Sequence, residues 1–286
     1  MSFDLPNDIA QTVSLALAED IGDGDRNAAI IPETAQANAH VVAKEAGVLA
    51  GCEWFNEVFR QLDERVLVRW QANDGDSLRP NQVLCELAGP TRALLTGERT
   101  ALNFLQMLSG VATNTRRFVE RVKGTRASIL DTRKTLPGLR SAQKYAVLCG
   151  GGKNHRFGLY DAILIKENHI AAAGSIAEAI SQARENSPDL PIQVEVENLT
   201  ELEQALAVDV DSVLLDNFES HILARAVNMA RRHRRPNREH VQIEASGDIN
   251  LQNVREVADN EVDRISIGGL TKHVTAIDLS MRLQAK

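Results

Sequence analysis

Apolar positions along the first part of the chain change their period several times. Residues 9–19 carry apolar side chains at helical spacing and predict an amphipathic helix. Residues 37–49 and 65–71 predict strands, with a helix over 51–62 between them and a turn at Asn73-Asp74-Gly75-Asp76. This is an α+β pattern with antiparallel pieces. Residues 97–122 then predict a long helical region, because Leu102, Leu105, Leu108, Val111 and Ala112 recur at i, i+3, i+4 spacing. Gly110 is expected to kink that region or divide it into two helices.

From about residue 127 the pattern changes. Short apolar runs at 128–130, 162–165, 193–196, 212–215, 241–245 and 264–267 alternate with helical stretches at 141–148, 175–185, 200–207, 219–232 and 250–258. Strand-helix alternation of this kind predicts a parallel sheet. No GxGxxG opens the first strand-helix turn, so an α/β barrel is favoured over a dinucleotide-binding fold. Nearly every strand ends in polar or charged residues. These are Asp131-Thr132-Arg133-Lys134, Lys166-Glu167-Asn168-His169, Glu195 with Glu197-Asn198, Asp216-Asn217, Ser246-Gly247-Asp248, and Ser266 with Gly268-Gly269. Active sites of parallel α/β barrels lie at the C-terminal strand ends, so these groups predict one converging site.

Charge divides that rim into two halves. The chain carries a net charge of −7, which argues against a nucleic-acid partner. Yet the stretch from Thr132 to Lys166 holds Arg133, Lys134, Arg140, Lys144, Lys153, Arg156 and Lys166, with His155 and the single acid Asp161. Cations concentrated in an acidic chain imply an anionic ligand. Arg140 and Lys144 fall on a helix and are assigned to the surface or to a place behind the site. The later strands supply Glu195, Glu197, Asp216 and Asp248, which suit sugar hydroxyls or a Mg²⁺ held partly through substrate phosphates. Glu195 and Glu197 are expected on opposite faces, with Glu195 turned to the ligand. The basic run Arg231, Arg232, His233, Arg234, Arg235 follows a helical stretch and suits a solvated helix C-terminus.

Other motifs exclude chemistry. Cys149-Gly150-Gly151-Gly152-Lys153 is not a phosphate-binding P-loop, because Asn154 stands where Ser or Thr is needed. Its glycines are expected to aim His155 and Arg156 inward. Asp20–Asp25 lacks the glutamate that a calcium loop requires at its twelfth position, so a capped acidic turn is expected. Three cysteines without a CxxC give neither a disulfide framework nor a zinc site, as expected for reduced, mostly buried thiols in a cytoplasmic protein. The start of the chain predicts an amphipathic helix and not a signal peptide, and no apolar stretch is long enough for a transmembrane helix.

The segments GERTALNFLQMLSGVAT (97–113), DTRKTLPGLRSAQKYAVLCGGGKNHRFGLYDAILIKENHI (131–170), VEVENLTEL (194–202), LLDNF (214–218), EASGDI (244–249) and ISIGGLTKHVTAIDLS (265–280) resemble the quinolinate phosphoribosyltransferase family. The resemblance spans nearly the whole chain. It implies conversion of quinolinate and phosphoribosyl pyrophosphate to nicotinate mononucleotide, pyrophosphate and CO₂, with Mg²⁺, in NAD biosynthesis. It implies an N-terminal α/β sandwich over 1–112 and an incomplete, seven-stranded α/β barrel over 113–286, with a C-terminal helix over 271–286 able to pack back on the first domain. It also implies a homodimer in which Arg99 reaches the neighbouring subunit's site, with further assembly left open.

Carried over by motif, the resemblance assigns substrate contacts to Arg99, Thr132, Arg133, Lys134, His155, Arg156, Lys166, Glu195, Asp216, Ser246, Gly247, Asp248, Ser266, Ile267 and Gly268. Lys134, Glu195 and Asp216 are the catalytic set, and Glu195 and Asp216 contact the metal directly or indirectly. Asp248 departs from the family pattern, which has Gly or Asn there. On residues alone, two other readings stay open: a Schiff-base role for Lys166, as in aldolases, and a sugar-phosphate or dicarboxylate binding protein on the same scaffold. A related phosphoribosyltransferase-like protein of another pathway is a third.

Overall fold

A computed structural model describes residues 4–208, 210–233 and 240–284. In chain order the elements are α1 (Ile9–Ile21), β1 (Gln36–Ala43), β2 (Gly47–Val48), α2 (Cys52–Leu62), β3 (Leu67–Trp70), β4 (Ser77–Leu78), β5 (Val83–Pro90), α3 (Thr91–Arg121), β6 (Ser128–Leu130) and α4 (Arg140–Cys149). There follow β7 (Ile163–Ile165), α5 (Glu167–Ala173), α6 (Ile176–Asn186), β8 (Ile192–Val196), α7 (Leu199–Ala207), β9 (Ser212–Asp216), α8 (Ser220–Arg232), β10 (Gln242–Ser246), α9 (Val254–Asp259), β11 (Arg264–Ser266), α10 (Gly269–Lys272) and β12 (Leu279–Gln284). The chain divides into two compact units, with the first cut after Arg116. One unit is the described part of Met1–Arg116 with Thr135–Gly151 and Leu270–Lys286; the other is Arg117–Lys134 with Gly152–Gly269.

The first unit is built on an antiparallel sheet of order β12-β1-β5-β3, with a small β2-β4 pair. Among the described residues of the helix expected over 271–286, only the end of α10 is helical and β12 takes its place. Burial alternates along Leu279–Met281, and β12 pairs antiparallel with β1 from Ala43↔Leu279 to Asn38↔Gln284. A period of two with one face packed makes a strand, whatever the helix propensity of the residues. Strand β5, which the apolar pattern did not single out, joins β1 to β3.

Helix α3 runs unbroken through Gly110. A Cβ there would lie 2.1 Å from the Thr275 carbonyl oxygen, so this glycine admits a neighbouring backbone and does not break the helix. Segment 135–151 joins this unit through α4. Tyr145 packs on the fully buried Trp54 at 5.2 Å between ring centroids, and its hydroxyl donates to Asp74 at 2.6 Å. Lys144 is 1% exposed, which excludes the surface alternative for it. Asp25 accepts hydrogen bonds from the Asn27 and Ala28 amides and the Thr96 hydroxyl, so the Asp20–Asp25 stretch is the capped turn that was expected.

The second unit is a six-stranded parallel sheet of order β6-β11-β10-β9-β8-β7. Among the described residues a seventh strand is reduced to one parallel bridge, Leu130↔Lys153, beside β6. The strands are buried through their middles and mostly apolar, as parallel strands covered on both faces must be, with Gln193 in β8 and Glu244 in β10 the buried polar exceptions. The helices start where caps allow. Ser175 and Asn198 accept the amides of Glu178 and Glu201 at the starts of α6 and α7. Of the basic run, Arg231 ends α8 and pairs with Asp263 at 2.6 Å, while Arg234 and Arg235 lie outside the described residues. No helix among the described residues is long and apolar enough to cross a membrane.

Candidate active site

Sheet order sets which strand ends become neighbours. Strand β11, late in the chain, lies between β6 and β10, so the Ser266–Gly268 turn is beside Thr132–Lys134. The next ends along the sheet carry Ser246–Asp248, Asp216, Glu195 and Lys166 in turn. All these residues belong to the second unit. Arg99 belongs to the first, exposed on α3.

The Lys134 side chain lies against the glycine turn. A Cβ on Gly268 would meet Lys134 Cδ at 2.9 Å and Thr132 Oγ1 at 3.6 Å. The Lys134 amide donates to Thr132 Oγ1 at 3.0 Å, and the Ile267 amide donates to the Leu130 carbonyl at 2.9 Å. The missing side chain at Gly268 thus makes room for the lysine.

Two arginines converge on the same side of the chemistry. Burial lowers the pKa of Arg156 from its ordinary value, and the adjacent Arg133 charge lowers it further. Two guanidinium groups held close repel each other unless an anion lies between them, and a planar fork suits carboxylate or phosphate. Arg156 Nη1 donates to the Ala162 carbonyl at 3.1 Å, which anchors one arm of the guanidinium and leaves the other nitrogens for a ligand.

Lys166 and Glu195 form an ion pair between neighbouring strands. The register Leu164↔Gln193 continued by two residues brings them level. Glu195 is 11% exposed and Lys166 41%, so the carboxylate is sheltered and the ammonium faces outward. The reason for preferring Glu195 over Glu197 needs correction: residues two apart on a strand share a face. What separates them is that β8 ends at Val196, and Glu197 is exposed with its amide donated to Glu201.

Asp216 ends β9 in register with Ser246 and accepts from Asn217 Nδ2 at 2.9 Å. Gly247 has φ +97, and a Cβ there would lie 2.0 Å from Asn217 Oδ1. Asp248 is exposed with φ +39, a conformation easiest for Gly or Asn, and its carbonyl accepts from Asn253 Nδ2 at 3.1 Å. The departure at this position therefore sits at the solvent side of its turn.

At the heart of the unit, Glu244 and Gln193 were given no site role from the sequence, and Asp131 was named only among the charged strand ends. Glu244 is 0% exposed on β10. Gln193 Nε2 donates to its Oε2 at 3.0 Å, and His155 Nε2 lies 3.4 Å from its Oε1. Burial raises the pKa of Glu244, but the hydrogen bonds it accepts from His155, Ser266 and Gln193 outweigh burial and hold it below the ordinary value. Asp131, also fully buried, accepts from Asn154 Nδ2 at 2.7 Å and from the His155 amide at 2.9 Å. The one sequence signal of Glu244 and Gln193 was a charged or amide side chain inside an otherwise apolar strand, a costly placement unless partnered.

Among the described residues no group of three His, Cys, Asp or Glu side chains forms a metal cage. Glu195 and Asp216 on adjacent strands offer hard oxygen donors that fit an ion arriving with a polyphosphate, since Mg²⁺ is commonly held by one or two carboxylates plus substrate phosphates.

Comparison with known proteins agrees with this arrangement. Residues 25–109 match the N-terminal domain, and residues 111–282 the C-terminal domain, of quinolinate phosphoribosyl transferase. A probable carboxylating nicotinate-nucleotide pyrophosphorylase of Bacillus subtilis (strain 168) is 43% identical over 264 residues, covering 92% of this chain and 89% of the relative. A nicotinate-nucleotide pyrophosphorylase (carboxylating) of Mycobacterium leprae is 42% identical, covering 95% and 96%. The solved nicotinate-nucleotide pyrophosphorylase of Francisella tularensis superposes with a TM-score of 0.91 at 44% identity, over 98% of each chain. With both domains matched in order and the relatives covered almost end to end, the chain belongs to the quinolinate phosphoribosyltransferase family.

Proposed function

We propose that this chain transfers the phosphoribosyl group of phosphoribosyl pyrophosphate to quinolinate with loss of CO₂, giving nicotinate mononucleotide and pyrophosphate. The observation that carries the reading is the order of the parallel sheet, which gathers Arg133 and Lys134 after β6 and Lys166 after β7 on one rim, with Arg156 between them in the chain and near enough to Arg133 for their charges to interact. Quinolinate has carboxylates on adjacent ring carbons, a charge pattern that two converging guanidinium groups match. Lys166, steadied by Glu195, adds a third cation.

Substrate held by these cations presents its ring nitrogen to the anomeric carbon. The C–N bond forms as the C–O bond to pyrophosphate breaks, and positive charge develops on the ribose. Glu195 and Asp216 stabilise that charge or hold the ribose hydroxyls, while Lys134 stabilises the departing pyrophosphate. Amides of the Ser246–Asp248 and Ser266–Gly268 turns suit the 5′-phosphate. Mg²⁺, when bound, neutralises pyrophosphate charge beside the same carboxylates. Ribosylation leaves the ring nitrogen cationic. The adjacent C–C bond then breaks to release CO₂, its electron pair stays on the ring carbon beside that nitrogen, and a proton from water completes the product. Holding the reactants in line contributes most of what the protein must do.

The same reading includes an incomplete seven-stranded barrel, supported by the Lys153 bridge, and a sandwich architecture for the first unit. It includes a cytoplasmic homodimer, with Arg99 of each subunit reaching the partner's site. Release of nicotinate mononucleotide and CO₂ from quinolinate, phosphoribosyl pyrophosphate and Mg²⁺ is the test; folded, dimeric protein without turnover would defeat it.

A further inference from the structure

The hydrogen bonds around His155 have one self-consistent direction. Its Nδ1 accepts the Arg156 amide at 2.8 Å, so the ring proton is on Nε2. That N–H donates to Gln193 Oε1 at 3.0 Å, and Gln193 Nε2 donates in turn to Glu244 Oε2 at 3.0 Å. The carboxylate accepts and never donates, which fixes the orientation of the Gln193 amide and through it the face of the imidazole. Both ring nitrogens are therefore engaged within the protein. The backbone amide of the same residue is held from the other side by the buried Asp131. His155 is thus a strut between two buried carboxylates, and the residue directly after it is Arg156.

We infer that Glu244 is a positioning residue: through Gln193 and His155 it fixes the 154–156 segment and so sets where Arg156 presents its guanidinium beside Arg133. This rests on the proposal that the two arginines receive the substrate's carboxylates. The role differs from a generic core contact in being specific to one substrate. Phosphoribosyl pyrophosphate, which the glycine turns and Lys134 would hold, meets Glu244 only through the Ser266 hydroxyl, a side chain whose turn is also fixed by the Ile267 amide on the Leu130 carbonyl, so it senses the change less.

Glu244→Gln keeps the volume and one acceptor oxygen but turns an NH₂ either toward the His155 N–H, donor against donor, or toward the Ser266 hydroxyl, which must then accept instead of donate. Losing a hydrogen bond to a charged group predicts a rise of about tenfold in the KM for quinolinate, with the KM for phosphoribosyl pyrophosphate changed less than about twofold. Affinity for phthalate, which has the adjacent carboxylates without the reactive nitrogen, falls in parallel. Glu244→Asp, which retains the charge on a shorter stem, recovers part of the loss. Because Glu244 acts through Arg156, E244Q added to Arg156→Lys raises the quinolinate KM little beyond Arg156→Lys alone. Gln193→Met cuts the relay without touching the carboxylate and gives the same selective rise should E244Q fail to fold. Equal rises in both KM values, no change in a folded variant, or full multiplication of the E244Q and Arg156→Lys effects each overturn the inference while wild-type turnover leaves the proposed activity standing. Wild-type protein that neither turns over quinolinate nor binds phthalate removes both.

Discussion

Gly247→Ala and Gly268→Ala add the same methyl group to two glycine turns of the second unit, and the structure separates their consequences. At Gly247 the backbone is at φ +97, and the new Cβ would lie 2.0 Å from Asn217 Oδ1 and 2.7 Å from the Asn217 backbone nitrogen. A left-handed residue with a Cβ costs roughly 1–2 kcal/mol, and overpacking against backbone typically adds about as much again, so the loss is on the order of 3 kcal/mol. The Asn217 amide donates to the Ser246 carbonyl at 3.0 Å, so relief of the clash moves the turn that follows Asp216. At Gly268 the Cβ meets Lys134 Cδ at 2.9 Å, a flexible side chain that can swing away. The stability cost there is under about 1 kcal/mol, but the lysine is displaced. Urea unfolding with steady-state kinetics distinguishes the two. G247A loses several kcal/mol with a raised KM for phosphoribosyl pyrophosphate. G268A unfolds near the wild-type midpoint with a lower kcat. Equal stability of the two variants would refute the geometric reasoning.

Three other outcomes follow from particular contacts. Lys134→Ala, at an exposed position, lowers kcat by about a hundredfold or more while leaving the thermal midpoint within a few degrees; near-wild-type turnover removes Lys134 from the mechanism. The three thiols lie in the first unit, and burial pushes Cys85 up to about 12 with Cys52 and Cys149 raised further. Native protein at pH 8 therefore reacts with a thiol reagent only on unfolding, and one fast equivalent contradicts this. Glu244 has a depressed folded pKa, so its stabilisation is present above the unfolded glutamate value and is lost as pH falls through the folded one. The gap in urea midpoint between wild type and E244Q should close on acidification from pH 7 to below 4; a gap that stays constant shows the charge is not involved.

Legibility followed the range of the interactions. Elements set by local period were recovered closely: α1, α2, α6 to α8 and each strand from β6 to β11 start and end within a few residues of the expected places. Strand β12 and helix α3 at Gly110 were misjudged because distant backbone decides them, β1 in one case and Thr275 in the other. Arg133, Lys166 and Glu195 were visible as charges at strand ends, and Arg156 as a cation behind the glycine run. Glu244 and Gln193 were not, since a polar residue inside a strand does not reveal that His155, from another part of the chain, completes its bonding.

The sequence by itself determined the alternation of elements, the split between a basic early rim and an acidic later one, and the family. Those depend on residue identity and spacing along the chain. The tertiary structure alone decided that β11 returns beside β6, putting the glycine turn under Lys134, and that His155 stands between buried carboxylates with both nitrogens occupied. Such arrangements depend on which strand ends meet across more than a hundred residues of chain, and no local pattern encodes that pairing.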